Sequence, residues 1–334
     1  MKKIRIAQIG VNQHSHGREI FYTLKKMPEI FEIVGYTLVE DEEETCKDQL
    51  YIFEGYPRLT LDEILNDPTI EAVTIETDEI HLTKYAQMAA DHGKHIHMEK
   101  PGGAELDEFE KLIKTVKGSD KVFHIGYMYR YNPYVKEAID RARSGELGEI
   151  FSVEAQMNRH DSSSTCEWFG TFKGGMMFYL GCHLIDLILQ IQGQPERIIP
   201  LNCSTHIDGV DTEDFAMAVF EYPNGRSFLK VCGREPGGFN RRQFVVCGSK
   251  GTLEIKPLEA TGKGIKYSNY SEMREAIKNA EGQTQYLHKK SDDFDRYESM
   301  LLAFAEMVRG EKANPYTCDY ELELYRTLIK CCNA

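Results

Sequence analysis

Short apolar runs alternate with longer amphipathic stretches through the first third of the chain. Strand-like runs cover residues 4–9, 31–39, 72–77 and 95–98, and stretches with helical spacing cover 18–27, 61–66, 82–93 and 106–116. Strands that alternate with helices are typical of βαβ units, which build a parallel sheet with helices on both faces. We therefore predict an α/β domain with a doubly wound parallel sheet over residues 1–124.

Beyond residue 122 the strands follow one another with short turns between them. Strand composition is found in residues 150–156, 216–222, 226–233 and 243–248, and Pro223-Asn224-Gly225 separates two of these runs as a hairpin turn would. Two strands joined by a tight turn pair antiparallel. We predict a second, α+β domain over residues 125–334, with a mainly antiparallel open sheet.

The length and charge of the chain narrow the class of protein. At about 150 residues per domain, 334 residues suit two domains. The 40 Lys and Arg against 53 Asp and Glu give a net charge of −13, which offers no general attraction for nucleic acid or anionic lipid. No apolar run reaches the roughly 18 residues of a membrane helix. We expect neither nucleic acid nor a membrane as a partner.

The cysteines indicate a cellular compartment. Nine of them lie between Cys46 and Cys332, an odd number without Cys-x-x-Cys spacing. This pattern is typical neither of a disulfide framework nor of a zinc site. The N-terminal apolar stretch is also too short for a signal peptide. We expect reduced thiols and a cytoplasmic protein.

The loop after the first strand carries the first candidate chemistry. Gly10, Asn12 and Ser15 stand where a dinucleotide-binding fold has Gly-x-Gly-x-x-Gly. Asn tolerates positive φ and Ser is small enough for close packing. The loop amides are therefore expected to face a dinucleotide pyrophosphate at the start of the next helix, the alternative being a plain strand-to-helix turn. His14 and His16 lack a nearby carboxylate cluster, and we predict no metal site.

An acidic run follows the second predicted strand. Leu38 stands near the position whose carboxylate accepts hydrogen bonds from the adenosine ribose in dinucleotide-binding folds, and Glu40 and Asp41 follow it, so we assign Glu40 to the cofactor. No Arg or Lys occurs between Glu40 and Lys47, so the 2′-phosphate of NADP would meet repulsion there. We therefore predict NAD rather than NADP as the cofactor, and a solvated turn over residues 40–44.

The most specific stretch is Gly93-Lys94-His95-Ile96-His97-Met98-Glu99-Lys100-Pro101, a predicted strand that ends in Glu-Lys-Pro. A residue before proline is held in extended geometry, so Lys100 projects from the carboxyl end of the strand, where open α/β sheets bind ligands. At this point the sequence resembles the Gfo/Idh/MocA family, named for glucose-fructose oxidoreductase, inositol dehydrogenase and a rhizopine catabolism protein. The alternative is a surface lysine before a chance proline.

The resemblance implies roles for residues of the first domain. In that family the Glu-Lys-Pro lysine lies beside the nicotinamide and the substrate, and its bond to proline is often cis, so Glu99 and Lys100 are expected at the cofactor. The strand over 72–77 resembles the family's strand and turn below the cofactor, which implies Thr77 and His81 as further cofactor-binding residues. The same resemblance implies a Rossmann-like fold, a nicotinamide cofactor and a homodimer or homotetramer.

Two further segments of the resemblance lie in the second domain. Arg130 belongs to Arg-Tyr-Asn-Pro, which is similar to the family's Arg-x-Asn-Pro on the substrate side; the alternative is an arginine that anchors the domain junction through backbone carbonyls. Gly174-Gly175 precede a segment in which the family has Asp-x-Gly-x-His, with Asp and His facing the reacting carbon. His183 matches that histidine, and Tyr179 occupies the place of the aspartate.

The glycine-rich segment also has helical spacing. Tyr179, His183 and Asp186 fall on one face, beside a buried stripe of Leu and Ile. One helix is thus expected to offer three polar groups, with Asp186 on the substrate side. Trp168 offers a flat apolar face for a sugar-like ring. For His183 and Trp168 the alternative is a place in the core.

These residues suit the oxidation of a secondary alcohol, which needs a proton acceptor while hydride leaves carbon for a nicotinamide. An imidazole with an ordinary pKa of about 6.5 meets that need. We assign His183 as the proton acceptor, Lys100 as the cation that orients the hydroxyl, and Tyr179 as a hydrogen-bonding group without charge. The expected function is an NAD-dependent oxidoreductase of a sugar, inositol or related polyol. Two alternatives stay open: an enzyme that cleaves glycosides through transient oxidation by NAD, and a cofactor-binding sensor without turnover.

Overall fold

The computed structural model describes residues 2–262 and 268–333. The chain divides into two units. Unit 1 consists of Met1–Tyr127 and Tyr297–Tyr325, and unit 2 of Met128–Arg296 and Arg326–Ala334. The predicted division at residue 124 did not include Tyr297–Tyr325 in the first domain. Nothing in the sequence of this helical segment indicates which of the two sheets it joins.

Unit 1 contains the alternating strands and helices that the pattern predicts. They are β1 (Ile4–Ile9), α1 (Gly17–Lys26), β2 (Phe31–Thr37), α2 (Glu42–Thr45), α3 (Leu61–Asn66), β3 (Ala72–Ile75), α4 (Leu82–Asp91), β4 (His95–Met98), α5 (Leu106–Lys117) and β5 (Phe123–Ile125). The strands form one parallel sheet in the order β2-β1-β3-β4-β5. This order confirms the Rossmann-like, doubly wound fold, in which ligands bind at the carboxyl ends of the strands.

Unit 2 is built on an eight-stranded sheet in the order β15-β14-β11-β10-β6-β9-β8-β7. All neighbours pair antiparallel except β6 and β9, which confirms the mainly antiparallel sheet. A smaller sheet joins β12, β13 and β16. The elements are α6 (Pro133–Arg143), β6 (Ile150–Asn158), α7 (Ser163–Trp168), a π-helical turn (Met177–Gly181), α8 (Cys182–Gln192), β7 (Arg197–Cys203), β8 (Phe215–Tyr222), β9 (Gly225–Cys232), β10 (Gln243–Gly248), β11 (Gly251–Ile255), β12 (Ala260–Thr261), β13 (Ser268–Tyr270), β14 (Glu272–Lys278), β15 (Thr284–Lys290) and β16 (Phe294–Asp295).

The two faces of the large sheet differ. On one face α8, which is buried from Cys182 to Gln190, packs against β6 and β9. On the other face Val219, Phe228 and Glu154 lie side by side on β8, β9 and β6, and all three are half-buried. This second face, which we call the open face, has no helix of unit 2 packed on its central strands in the part of the chain that the structure describes.

Two helices near the C-terminus complete the set, α9 (Glu298–Val308) and α10 (Cys318–Cys331). Within unit 1, Phe304 of α9 packs against the rings of two histidines on β4 and β5. The Tyr325 hydroxyl donates to the Gly103 carbonyl at 2.7 Å, and the Tyr325 ring lies 4.4 Å from that of Phe109. The core of unit 1 therefore includes side chains that come from both ends of the sequence.

Across residues 2–262 and 268–333, no helix is long and apolar enough to cross a membrane. The nine cysteines all lie in these ranges, and each is a thiol. The same residues hold no group of three or more His, Cys, Asp or Glu side chains that could bind a metal ion.

Candidate functional site

Gly10, at the carboxyl end of β1, is a point where other segments of the chain approach closely. Gly10 has φ +84°, and a Cβ there would lie 2.9 Å from both the Thr77 amide nitrogen and the Glu42 carboxylate. The Thr77 hydroxyl is buried and makes no hydrogen bond of standard geometry within the described chain, although the Glu42 carboxyl is near. The missing side chain at Gly10 lets the end of β1 lie against Thr77, and the buried Thr77 hydroxyl at the carboxyl end of the sheet fits a dinucleotide as a donor.

The loop that follows is tied to the end of β3. The Asn12 amide donates to the Glu76 carbonyl at 2.9 Å, and the Ser15 hydroxyl donates to the same carbonyl at 2.8 Å. The His14 amide is bound by the Asn12 side chain, and the Ser15 amide by the Asn12 carbonyl. We expected the loop amides to face a pyrophosphate; those of Asn12, His14 and Ser15 instead serve the loop itself, because Asn12 acts as its internal cap.

The close approach of helix to strand occurs at Gly17. Helix α1 begins at Gly17, where a Cβ would lie 2.9 Å from the Glu76 Cβ and 3.1 Å from the Val11 Cα. Ser15 also lies at this contact, with its Oγ 3.2 Å from the Cβ position of Gly17, but the helix begins two residues later than the Gly-x-Gly-x-x-Gly spacing assumes. Gly17 is a position that the spacing rule missed.

Glu40 is held in place by residues of α4. It has φ +51°, and its carboxylate accepts hydrogen bonds from Lys84 Nζ at 2.6 Å and from the Tyr85 hydroxyl at 2.7 Å, with His81 Nδ1 3.9 Å away. The bonds from Lys84 and Tyr85 lower the pKa of Glu40. The carboxylate is thus ionised, as an acceptor for ribose hydroxyls must be.

The rest of the acidic run is exposed, as a solvated turn would be, except at Glu42. Glu42 begins α2 and is 1% exposed, because its carboxylate accepts the Val39 amide at 2.9 Å. Burial raises the pKa of Glu42 to about 7. Glu43 forms a two-pronged ion pair with Arg58. Lys84 and Arg58 thus bring positive charge to a run that has none in its own sequence.

Lys100 lies at the carboxyl end of β4 and is 1% exposed, which excludes the alternative of a surface lysine. Its peptide bond to Pro101 is cis. Its Nζ is 3.6 Å from a Glu99 carboxylate oxygen and 3.7 Å from one of Glu79. A buried cation is stable only beside such charges, so the two carboxyls account for the burial of the ammonium.

Further titratable groups of unit 1 surround this lysine. The second Glu99 oxygen is 2.8 Å from His16 Nδ1. Burial, and then the charge of Glu99, raise the pKa of Glu76 far above its usual range. Burial lowers the pKa of His97 to about 4, and its Nδ1 lies 2.8 Å from that of His124. The cluster therefore contains carboxyl and imidazole groups that stay neutral near pH 7.

In unit 2, Arg130 and Asp186 form an ion pair. Arg130 Nε and Nη2 lie 3.0 and 2.9 Å from the two Asp186 oxygens, and the side chains are 0% and 1% exposed. Gln190 donates to the same carboxylate at 3.0 Å. We expected Asp186 on the substrate side and Arg130 either there or on backbone carbonyls. The ion pair keeps two buried charges compensated, and the places of Arg130 and Asp186 on the substrate side stay predictions.

His183 is buried on α8 against an aromatic ring. The Tyr129 ring meets it edge-on, with centroids 5.1 Å apart and an interplanar angle of 81°. The Tyr129 hydroxyl donates to Glu259, which also binds Arg242 and Arg296 at 2.6 and 2.7 Å. Burial alone would raise the pKa of Glu259, but the two guanidinium groups outweigh it and lower the pKa. The ring beside His183 is therefore fixed by a charged network.

Tyr179 does not share the surroundings of the other two polar residues of its segment. Its hydroxyl accepts a hydrogen bond from Arg159 Nη1 at 3.3 Å, and its ring lies 5.3 Å from that of Trp168 at 90°. Met177–Gly181 form a π-helical turn with one extra residue, so this segment departs from the regular α-helical spacing that the predicted single face assumes. Trp168 is half-buried, so both readings of its ring stay open.

Two family models match nearly three quarters of the chain between them. Residues 4–127 match the oxidoreductase family with an NAD-binding Rossmann fold, and residues 135–254 match the GFO/IDH/MocA C-terminal domain. The chain belongs to the Gfo/Idh/MocA oxidoreductase family. The resemblance drawn from Glu-Lys-Pro and the glycine-rich helix is thereby confirmed.

Individual relatives agree with this membership. Oxidoreductase ORF334 of Rhizobium meliloti is 30% identical over 199 residues, which are 58% of this chain and 58% of that protein, so the chain spans less than two thirds of that curated relative. The scyllo-inositol 2-dehydrogenase (NADP(+)) IolW of Bacillus subtilis is 26% identical over 80% of this chain and 77% of its own. A levoglucosan dehydrogenase solved with NADH and levoglucosan has TM-score 0.80 at 17% identity, covering 99% and 97% of the chains, which shows a shared fold.

The family pattern did not point to several groups of the site. Glu79 had a signal, since it lies in the turn after a buried strand, at the ligand edge of a parallel sheet. Gly17, Lys84 and Glu259 had none, because their partners are distant in sequence.

Proposed function

We propose that the protein is an NAD-dependent oxidoreductase that transfers hydride between a sugar, inositol or related polyol and the nicotinamide. The observation that carries the proposal is Lys100, a cation buried between two carboxyls at the carboxyl end of a parallel strand. Two relatives support the substrate class by their names, one a scyllo-inositol dehydrogenase and the other a levoglucosan dehydrogenase. The nine thiols suit a reducing compartment, and we include the cytoplasm in the proposal.

In this proposal the cofactor binds in unit 1, at the edge of the sheet formed by the carboxyl ends of its parallel strands. When bound, its nicotinamide supplies the acceptor of the hydride. The residues proposed to hold it are Gly10, Asn12, Ser15, Glu40, Thr77, His81, Glu99 and Lys100. Within that set Glu40 accepts the ribose hydroxyls, and the buried Thr77 hydroxyl, which lies near the Glu42 carboxyl, donates to the ligand.

The protein's own chemistry is the handling of one proton. Lys100 orients the substrate hydroxyl through its ammonium, and His183 accepts the hydroxyl proton in the proposal. Arg130 and Asp186 support the substrate side as a fixed ion pair, and Trp168 offers its ring to the sugar. A panel of polyols and sugars, followed through nicotinamide absorbance, tests this function. Cleavage of chromogenic glycosides without net NADH would favour the glycoside-cleaving alternative, and binding without any turnover would favour the sensor.

We predict that NAD binds more tightly than NADP, and that Glu40→Ala reverses the order. The substitution removes the ribose acceptor and leaves Lys84 without its carboxylate partner, which is 2.6 Å away. We expect NAD affinity to fall about tenfold, equal to roughly 1.4 kcal/mol, and NADP affinity to rise. Calorimetry with both nucleotides measures this. Glu43→Ala, which disrupts only the pair with Arg58, serves as the control. A wild-type chain that prefers NADP would contradict the prediction.

Tyr179→Phe is expected to lower turnover while stability barely changes. The variant keeps the ring against Trp168 and deletes the hydroxyl that binds Arg159, at a cost of about 0.5–1.5 kcal/mol, or roughly two- to twelvefold in rate. Turnover and melting temperature are measured together. Tyr179→Asp is the companion variant, since it restores the family's aspartate. A silent Phe variant with an inactive Asp variant would contradict a dehydrogenase site and favour the alternatives.

We propose that the open face of unit 2 joins two copies of the chain. Val219 and Phe228 form the apolar centre of this face, and half-buried apolar side chains on an uncovered sheet favour a partner. Wild-type protein is expected to sediment as a dimer or tetramer, and Phe228→Asp as a smaller species. Tyr51→Asp, at a residue 56% exposed in unit 1, is the control. A wild-type monomer at micromolar concentration would refute the prediction.

A further inference from the structure

Glu79 is a buried acid that faces Lys100. It is 0% exposed in the turn after β3, and its own backbone amide lies near its carboxylate, but neither carboxylate oxygen makes a hydrogen bond of standard geometry within the described chain. A carboxylate buried in this way is costly unless a cation lies beside it, and the carboxylate of Glu99 by itself would balance the single charge of Lys100. The second acid therefore calls for a function.

The charged group that Glu79 contacts is the ammonium of Lys100. Its Nζ lies 3.7 Å from Glu79 Oε1 and 3.6 Å from Glu99 Oε1, so the ammonium stands between two carboxyls at almost equal distances. The two carboxyls are not equivalent. Glu99 is also bound by the ring and the backbone amide of His16 at the start of α1, at 2.8 and 3.3 Å. Glu79 has no side-chain anchor of this kind, and the charged group that its carboxyl contacts is the Lys100 ammonium.

The charges around Glu79 decide when it ionises. Lys100 and Glu99 face it from the end of β4, and Asp78 stands beside it on its own turn. Burial is the largest influence and raises the pKa of Glu79 to about 8; Lys100 opposes this rise, whereas Asp78 and Glu99 add to it. Glu79 is therefore mostly a neutral acid at pH 7 and mostly a carboxylate at pH 9.

We propose that Glu79 is a positioning residue for Lys100. While Glu79 carries its proton, the Lys100 ammonium orients a substrate hydroxyl. Once Glu79 ionises, its carboxylate draws the ammonium away from the substrate. The inference rests on the proposed function, since it needs Lys100 at the substrate. No bond to the substrate forms at Glu79; the carboxyl only gains or loses a proton to solvent. The neutral acid steadies the ammonium by a dipole, whereas the anion competes with the substrate for its N–H donors.

The experiment compares the pH dependence of kcat/KM in wild-type protein and in Glu79→Gln, with NAD and the best polyol of the panel. A single group with a pKa of about 8 loses about tenfold of its protonated form between pH 7 and pH 9. Wild-type kcat/KM is expected to fall about tenfold over this range. Glu79→Gln imitates the neutral acid, so it should stay within about twofold of wild type at pH 7 and fall less than about threefold by pH 9.

Three controls separate the possible outcomes. Glu108→Gln removes an exposed carboxyl of the same unit and should keep the wild-type profile. Glu79→Ala, which also removes the steadying contact, should lose activity at every pH. NAD affinity is measured for each variant, so that loss of cofactor is not mistaken for loss of positioning.

A failure of this inference can be distinguished from a failure of the proposed function. An active wild type whose alkaline decline persists in Glu79→Gln overturns the inference and leaves the proposed function standing. So does a Glu79→Gln variant that is inactive at pH 7 although it binds NAD as wild type does. A wild-type chain that binds NAD but oxidises no polyol overturns the proposed function, and the inference with it.

Discussion

Replacing Lys100 by alanine is expected to lower turnover of the polyol at least about a hundredfold, while NAD affinity changes little. Removal of a group that acts on the reacting atoms typically costs about two to four orders of magnitude. Lys100 is the cation proposed to orient the hydroxyl, and the described chain places no other ammonium within ion-pair distance of both Glu79 and Glu99. Turnover at saturating substrate and calorimetry with NAD measure the two quantities.

Folding has to be checked in the same variant. Without the ammonium, the buried carboxyls of Glu79 and Glu99 lose their shared partner, and breaking a buried pair costs about 3–5 kcal/mol. Lys100→Arg keeps the positive charge but places it on a larger, planar group, so this variant separates the loss of charge from the loss of the lysine's geometry. A Lys100→Ala chain that is folded, binds NAD and turns over at the wild-type rate would return Lys100 to a structural role.

His183→Ala is expected to reduce turnover by a similar factor and to remove the acid limb of the pH–rate profile near neutrality. A proton acceptor must be neutral to act, so an imidazole in that role gives an activity that rises with pH as the ring loses its own proton. Without the imidazole the limb should vanish, whatever the residual rate. The measurement is kcat/KM between pH 5 and pH 8, with melting temperature as a check on packing beside Tyr129.

His92→Gln is the matched control for this prediction. His92 follows α4, is exposed, and its ring nitrogen bonds the Met88 carbonyl of its own helix. It should leave both rate and profile unchanged. If the acid limb persists in His183→Ala, another group accepts the proton, and the assignment of His183 is wrong.

The fold of unit 1 was predictable because its signals are local. A strand covered on both faces, such as Ala72–Ile75, reads as a continuous apolar run, and the helices between strands carry a regular apolar stripe. The same holds for the hairpin of β8 and β9, whose turn residues specify the pairing.

The contacts of the site were less predictable because they join residues distant in sequence. Lys84 reaches Glu40 from a helix that begins more than forty residues later, and composition near Glu40 could not reveal that cation. The π-helical turn before Cys182 is a second case. Spacing rules assume regular α-helix, and one added residue in a turn moves Tyr179 without any change in composition.

The return of Tyr297–Tyr325 to unit 1 has a consequence for biosynthesis. Tyr325 closes over Phe109 and Gly103, and Phe304 over the histidines of β4 and β5, so the parallel sheet lacks part of its cover until these residues exist. On the ribosome the N-terminal segment leaves the exit tunnel first and must wait while the whole of Met128–Arg296 is translated. During that interval its apolar surface is available to chaperones, and a fragment that stops at Tyr127 would keep it exposed permanently.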